Sequence, residues 1–158
     1  MSTTSPNILI AEDSFVNQKI LLRILMKFGC TADVVSNGLQ VLEAVAFKTY
    51  DIIFMDMHMP EMDGLEATRK IVNSGFPGNR PKIIALTADS ISDDKKKCIE
   101  AGMDDYITKP VRIEEILSIL NRWAPVPVML VETVISQMNT NRKQYIPQAT
   151  PVLSVCRN

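Results

Sequence analysis

The run Ile52-Ile53-Phe54-Met55, followed at once by Asp56, constrains this chain more than any other stretch. Four consecutive apolar residues suit a strand buried on both faces, as in a parallel sheet covered by helices. In such sheets ligands bind in the crevice outside the carboxyl ends of the strands. A carboxylate there stands half desolvated at a rim, with the loop from Met57 to Gly64 wrapped around it. Alone, Asp56 would be an ordinary strand end. Two further apolar runs stop the same way, Asn7–Ala11 at Glu12-Asp13 and Lys82–Leu86 at Thr87, and a short strand, Asp105–Thr108, stops at Lys109.

Between these runs the apolar spacing becomes helical. Val16, Ile20 and Ile24 recur with Leu21, Leu25 and Phe28 beside them, behind Ser14 as N-cap and with Gly29 as the stop. Thr31–Val35 reads as a second strand, and Asn37-Gly38 precedes a helix through Leu42 and Val45. Leu65, Thr68, Ile71 and Val72 mark a third helix, and the Gly- and Pro-rich segment from Ser74 to Pro81 a loop. Ser92–Ala101 is a polar helix closed by Gly102, and Ile113, Ile116, Leu117 and Leu120 give the last one an apolar face ending near Trp123. Five strands alternating with five helices predict an α/β fold, a doubly wound parallel sheet with helices on both faces. The first strand is expected to be central, because its acidic end has to meet the ends of the third, fourth and fifth.

After Trp123 the pattern changes. Ala124-Pro125-Val126-Pro127 breaks a helix, Met129–Met138 supports at most one short amphipathic helix, and the rest is polar with Pro147 and Pro151. Residues 1–124 are therefore expected to form one domain. Residues 125–158 are expected to be a disordered or loosely docked tail, too short for a second domain.

Composition excludes several classes. With a net charge of −1 the chain has no basic excess for nucleic acid, and Lys95-Lys96-Lys97 reads as a solvated helix face. Cys30, Cys98 and Cys156 are odd in number and outside any C-x-x-C spacing, which suits reduced thiols rather than a disulfide framework or zinc site. Met1–Asn7 lacks the regions of a signal peptide, and no apolar run nears the roughly 20 residues of a membrane span. A cytoplasmic location is expected, or a nuclear one in a eukaryote, with no membrane contact by this chain.

Glu12, Asp13 and Asp56 on adjacent strand ends would repel one another unless a cation is supplied. Oxygen ligands with no competing Cys/His set suit Mg²⁺, which uses one or two carboxylates and keeps open positions for substrate oxygens. Lys109 supplies a point charge for phosphate or carboxylate oxygens. The Thr87 hydroxyl and the Ala88 amide are donors for an anionic oxygen. A carboxylate nucleophile, Mg²⁺, an ammonium and a hydroxyl together describe phosphoryl transfer to aspartate.

These motifs are dispersed yet all present: Glu12-Asp13, Asp56 with Met59-Pro60 and Met62-Asp63-Gly64, Thr87-Ala88, and Lys109-Pro110. In them the chain resembles the receiver domains of two-component response regulators and hybrid histidine kinases, from about Asn7 to Trp123. Asn17 is similar to receivers of hybrid kinases and phosphorelays in particular. The resemblance implies a flavodoxin-like strand order 2-1-3-4-5 and a signalling module whose Asp56 takes a phosphoryl group from phosphohistidine. It implies Mg²⁺ held by Asp13, Asp56 and the main-chain carbonyl of His58, with Glu12 acting through a metal-bound water. Lys109 would bind a phosphoryl oxygen, with its peptide to Pro110 cis. Thr87 and Tyr106 would form the conformational switch. The implied partners are a histidine kinase or a histidine phosphotransfer protein, meeting a face that includes Ser92–Ala101, Tyr106 and Ile113–Trp123.

Two other functions compete. A phosphohydrolase with an aspartyl nucleophile carries a second acid two residues later to protonate the leaving group, where this chain has His58. A pseudo-receiver that only docks partners would lack one of the acids or the lysine, and all are present. Met55, Met57, Met59 and Met62 read as packing residues rather than a metal–sulfur site.

Overall fold

A computed structural model describes residues 5–75, 79–88, 92–125 and 128–144. The elements run β1 (Ile8–Ala11), α1 (Phe15–Lys27), β2 (Ala32–Val35), α2 (Gly38–Phe47), β3 (Ile52–Asp56), α3 (Gly64–Asn73), β4 (Lys82–Thr87), α4 (Ser92–Ala101), β5 (Asp105–Thr108), α5 (Ile113–Trp123) and α6 (Val128–Gln144). All five strands are parallel, in the order β2-β1-β3-β4-β5. β1 is interior, between β2 and β3, while the centre of the sheet belongs to β3. Every residue of β1 and β3 is buried, as helices on both faces require.

Side chains alternate across the sheet and divide the core in two. Ile8, Ile10, Ile52, Phe54, Ile84, Leu86 and Ile107 pack with Leu21 and Leu25 of α1 and Ile116, Ile119 and Leu120 of α5. Leu9, Ile53, Met55, Ile83 and Ala85 face Val41 of α2, Ala67 and Ile71 of α3, and Cys98 of α4. Met57, Met59 and Met62 join this second cluster, so the methionines around Asp56 pack.

Three of the strand-to-helix turns end on side-chain caps. Ser14 accepts from the Asn17 amide, Asn37 from Gln40, and Asp63 from Glu66. Each cap starts a helix within a few residues of a strand end, which keeps the loops above the sheet short. The loop after β3 is fixed further: the Gly64 amide donates to the Met57 carbonyl at 3.1 Å and the Gly38 amide to the Met62 carbonyl at 2.9 Å. Glu61 adopts φ 66°, and the Asn37 amide group donates to its carboxylate at 3.2 Å.

The helix after Trp123 runs Val128–Gln144, longer than the Met129–Met138 limit expected from sequence. Its buried Val134 joins the α1–α5 cluster, and Met138 packs against that cluster. The two residues are one helical turn apart, so they share a face. The polar continuation carries Arg142, Lys143 and Gln144, residue types with good helix propensity. The expectation for residues 145–158 lies outside the described residues.

Gly64 is required by proximity. A Cβ there would lie 2.1 Å from the Asp56 carbonyl oxygen. Gly64→Ala should push the loop off the end of β3 and cost about 1–3 kcal/mol, measurable by urea unfolding; unchanged stability would mean the loop is not held as tightly as described.

Candidate functional site

Strand register decides which polar groups meet. Ala11 pairs with Met55, which sets Glu12 level with Asp56. Asp56 pairs with Leu86, so Thr87 stands one residue beyond it, and Thr87 pairs with Thr108, so Lys109 follows. The pleat then sorts them by face. Glu12 continues Ile8 and Ile10, Asp56 continues Ile52 and Phe54, and Lys109 continues Ile107, all on the α1–α5 side. Thr87 continues Ile83 and Ala85 on the other side.

The site follows that geometry. Lys109 Nζ lies 2.8 Å from Glu12 Oε2 and 3.1 Å from Asp56 Oδ2. Glu12 and Asp56 are 1% and 5% exposed, whereas Asp13 faces solvent. Carboxylate oxygens of Glu12, Asp13 and Asp56 all lie within 4.8 Å of one another. Three hard oxygen donors in a half-open crevice, with no thiolate or imidazole among them, fit a small divalent cation of the Mg²⁺ kind. The Ser14 amide donates to Glu12 Oε1 at 3.1 Å and the His58 amide to Asp56 Oδ1 at 3.2 Å. Those bonds fix both carboxylates in orientation. The His58 side chain is exposed.

Burial alone would lower the Lys109 pKa, but hydrogen bonds to Glu12 and Asp56, with the charges of both carboxylates, outweigh it and raise the value. Lys109 is held by its backbone too. Its amide donates to the Thr87 carbonyl at 2.7 Å, and the Lys109–Pro110 peptide is cis, as the resemblance implies. Thr87 is buried, and its hydroxyl donates to Asp94 Oδ2 at 3.4 Å. Ala88 is exposed. Tyr106 is 38% exposed, with Lys95 Nζ 5.0 Å from its ring centroid.

Comparison with known proteins fits this geometry. A sequence model described as the response regulator receiver domain matches residues 8–121. The chain belongs to the response regulator receiver domain family. It is 42% identical over 120 residues to hybrid signal transduction histidine kinase B of Dictyostelium discoideum, a match covering 70% of this chain and 6% of that protein. Across eight such curated relatives, all histidine kinases or hybrid signal transduction proteins, the chain spans only 4–16% of their length.

Among solved structures, the receiver domain of a sensor histidine kinase from Pseudomonas aeruginosa PAO1 shares 38% identity at a TM-score of 0.69, covering 76% of this chain and 98% of that one. That receiver holds a magnesium ion in its active-site cleft. A chain of the Saccharomyces cerevisiae co-crystal of the phosphotransfer protein Ypd1 with the Ssk1 receiver shares 31% identity at 0.69, covering 75% and 88%. The family is one of phosphoacceptor signalling modules in two-component phosphorelays and not of metabolic enzymes, and this receiver has the acidic cluster that suits a metal ion.

Glu12, Asp13, Asp56 and Lys109, singled out in the sequence, do come together, but two contacts that support the cluster were not foreseen. Gln18 donates to the Glu12 carbonyl at 2.6 Å, closing the β1–α1 turn. The Asp94–Thr87 contact joins α4 to β4. The Gln18 contact could have been read from a polar side chain one helical turn past the Ser14 cap. The Asp94 contact had no local signal, because it depends on how α4 lies against the sheet.

Lys109→Met should leave Glu12 and Asp56 without their cation. Because Lys109 is partly exposed, the loss should be about 2–3 kcal/mol, below the ~3–5 typical of a fully buried pair. Millimolar Mg²⁺ should recover part of it. The folded chain holds the Lys109 proton more tightly than the unfolded chain, so this stabilisation is complete below the ordinary lysine value of 10.5 and is lost as pH rises through the raised folded value. Unfolding curves of the two proteins should converge above that pH; a gap that persists there would make the effect one of packing.

Proposed function

We propose that Asp56 accepts a phosphoryl group from a phosphohistidine, with Mg²⁺ held by Asp13, Asp56 and the His58 carbonyl and with Glu12 acting through a metal-bound water. The observation that carries this reading is the Lys109 ammonium, within 3.1 Å of both Asp56 and Glu12 at the rim of a buried acid cluster. In the transfer an Asp56 carboxylate oxygen bonds to phosphorus as the phosphorus–nitrogen bond breaks and the imidazole leaves. Negative charge then accumulates on the phosphoryl oxygens, so catalysis is largely positioning and charge neutralisation.

Lys109 can leave Glu12 for a phosphoryl oxygen without leaving Asp56, so it stabilises charge where it develops. Bound magnesium would supply the remaining positive charge. The Thr87 hydroxyl and the Ala88 amide take further phosphoryl oxygens, and Thr87 with Tyr106 carries the change to the surface of α4 and β5. The same pocket catalyses its own loading from a phosphodonor and the later hydrolysis of the acyl phosphate. The partner is a histidine kinase or a histidine phosphotransfer protein; neither nucleic acid nor a membrane is contacted by this chain. No helix among the described residues is long and apolar enough to cross a membrane.

Incubation with acetyl phosphate and Mg²⁺, followed by intact-mass measurement, should show one added phosphoryl group that survives acid and is lost in base. Asp56→Asn, or removal of Mg²⁺ by chelation, should abolish it. An adduct of undiminished yield in Asp56→Asn would end the reading.

A further inference from the structure

Thr87 stands one residue beyond Asp56 on the neighbouring strand, and the two are turned to opposite layers. In β4, Ile83 and Ala85 point into the α2–α3–α4 layer and Thr87 follows them. In β3, Ile52 and Phe54 point to α1 and α5 and Asp56 follows. The Thr87 hydroxyl accordingly meets Asp94 Oδ2, at 3.4 Å, in the first turn of α4. Asp94 also accepts from Lys97 Nζ at 3.4 Å through its other oxygen. The next residue, Lys95, lies over the Tyr106 ring. Successive residues of one helical turn thus hold Thr87 and Tyr106.

We propose that Asp94 is a positioning residue that holds the Thr87 hydroxyl on α4 and competes for it with a phosphoryl group on Asp56. The inference rests on the phosphoacceptor reading above. A threonine hydroxyl has one proton to donate. The Asp94 carboxylate and a phosphoryl oxygen are both anionic acceptors, and the hydroxyl serves one at a time. A bond to a charged acceptor is stronger than a neutral one, but this one is long and Asp94 is shared with Lys97. Such a contact biases the rotation of Thr87 without locking it.

An acid in the first turn of a helix also has an ordinary role, stabilising the helix dipole. Asp93 fills that role with the same charge in the same turn and is exposed. It is the internal control.

The test is calorimetric titration of the full chain with beryllium fluoride in Mg²⁺, a phosphoryl analogue that needs no kinase. Asp94→Ala should bind roughly three- to tenfold tighter than the native chain, the size expected for one released hydrogen bond. Asp94→Asn, which keeps an acceptor without the charge, should fall between. Asp93→Ala should match the native affinity. In a Thr87→Ala background, Asp94→Ala should add nothing.

Equal affinities for Asp94→Ala and Asp93→Ala would overturn the proposal. So would an Asp94 effect of full size in the Thr87→Ala background, because charge alone would then explain it. If Asp94→Ala fails to fold, Asp94→Asn against Asp93→Asn gives the same comparison. A native chain that binds no analogue defeats the site reading itself, which is a different result from native binding with indifferent variants.

Discussion

Two carboxylates taken out of water beside each other cost several kcal/mol apiece unless a cation goes with them. Glu12 and Asp56 are in that position, and Lys109 is the cation. The rest of the upper edge of the sheet serves this triad. The Ser14 and His58 amides orient the two carboxylates, and the Thr87 carbonyl holds the Lys109 backbone. With one ammonium set against three acids, the cluster retains an excess of negative charge, which is what a divalent cation would balance.

Precision in the site comes from the register of a rigid sheet. A one-residue slip of β1 against β3 would turn Glu12 to the opposite layer and strand Lys109. Slippage is opposed because Ile8, Ile10, Ile52 and Phe54 would leave the α1–α5 core at the same time. Core packing and site geometry are therefore one constraint. Gly64 closes the arrangement from above, where the loop backbone comes too near β3 for any side chain.

Most of the fold could be read from the chain because strands buried on both faces leave unbroken apolar runs, and those of β1, β3 and β4 stop at Glu12, Asp56 and Thr87, with Lys109 following β5. The acids, Lys109 and Thr87 were legible for that reason. The order 2-1-3-4-5 was legible only through the family resemblance, because adjacency of the acidic ends by itself allows either β1 or β3 in the middle. Helix α6 was read too short because its far half is polar, and its docking through Val134 and Met138 depends on a surface assembled from α1 and α5. The Thr87–Asp94 contact was hidden for a similar reason, since seven residues of sequence say nothing about how a helix leans on its strand.

Borohydride reduction of the phosphorylated chain, followed by peptide mapping, tests the central claim most directly, because an acyl phosphate on aspartate is reduced to homoserine where it stands. Homoserine at position 56 and nowhere else is the predicted result. Homoserine at position 13, a reduced glutamyl group at position 12, or label on His58 with position 56 unchanged would contradict the account.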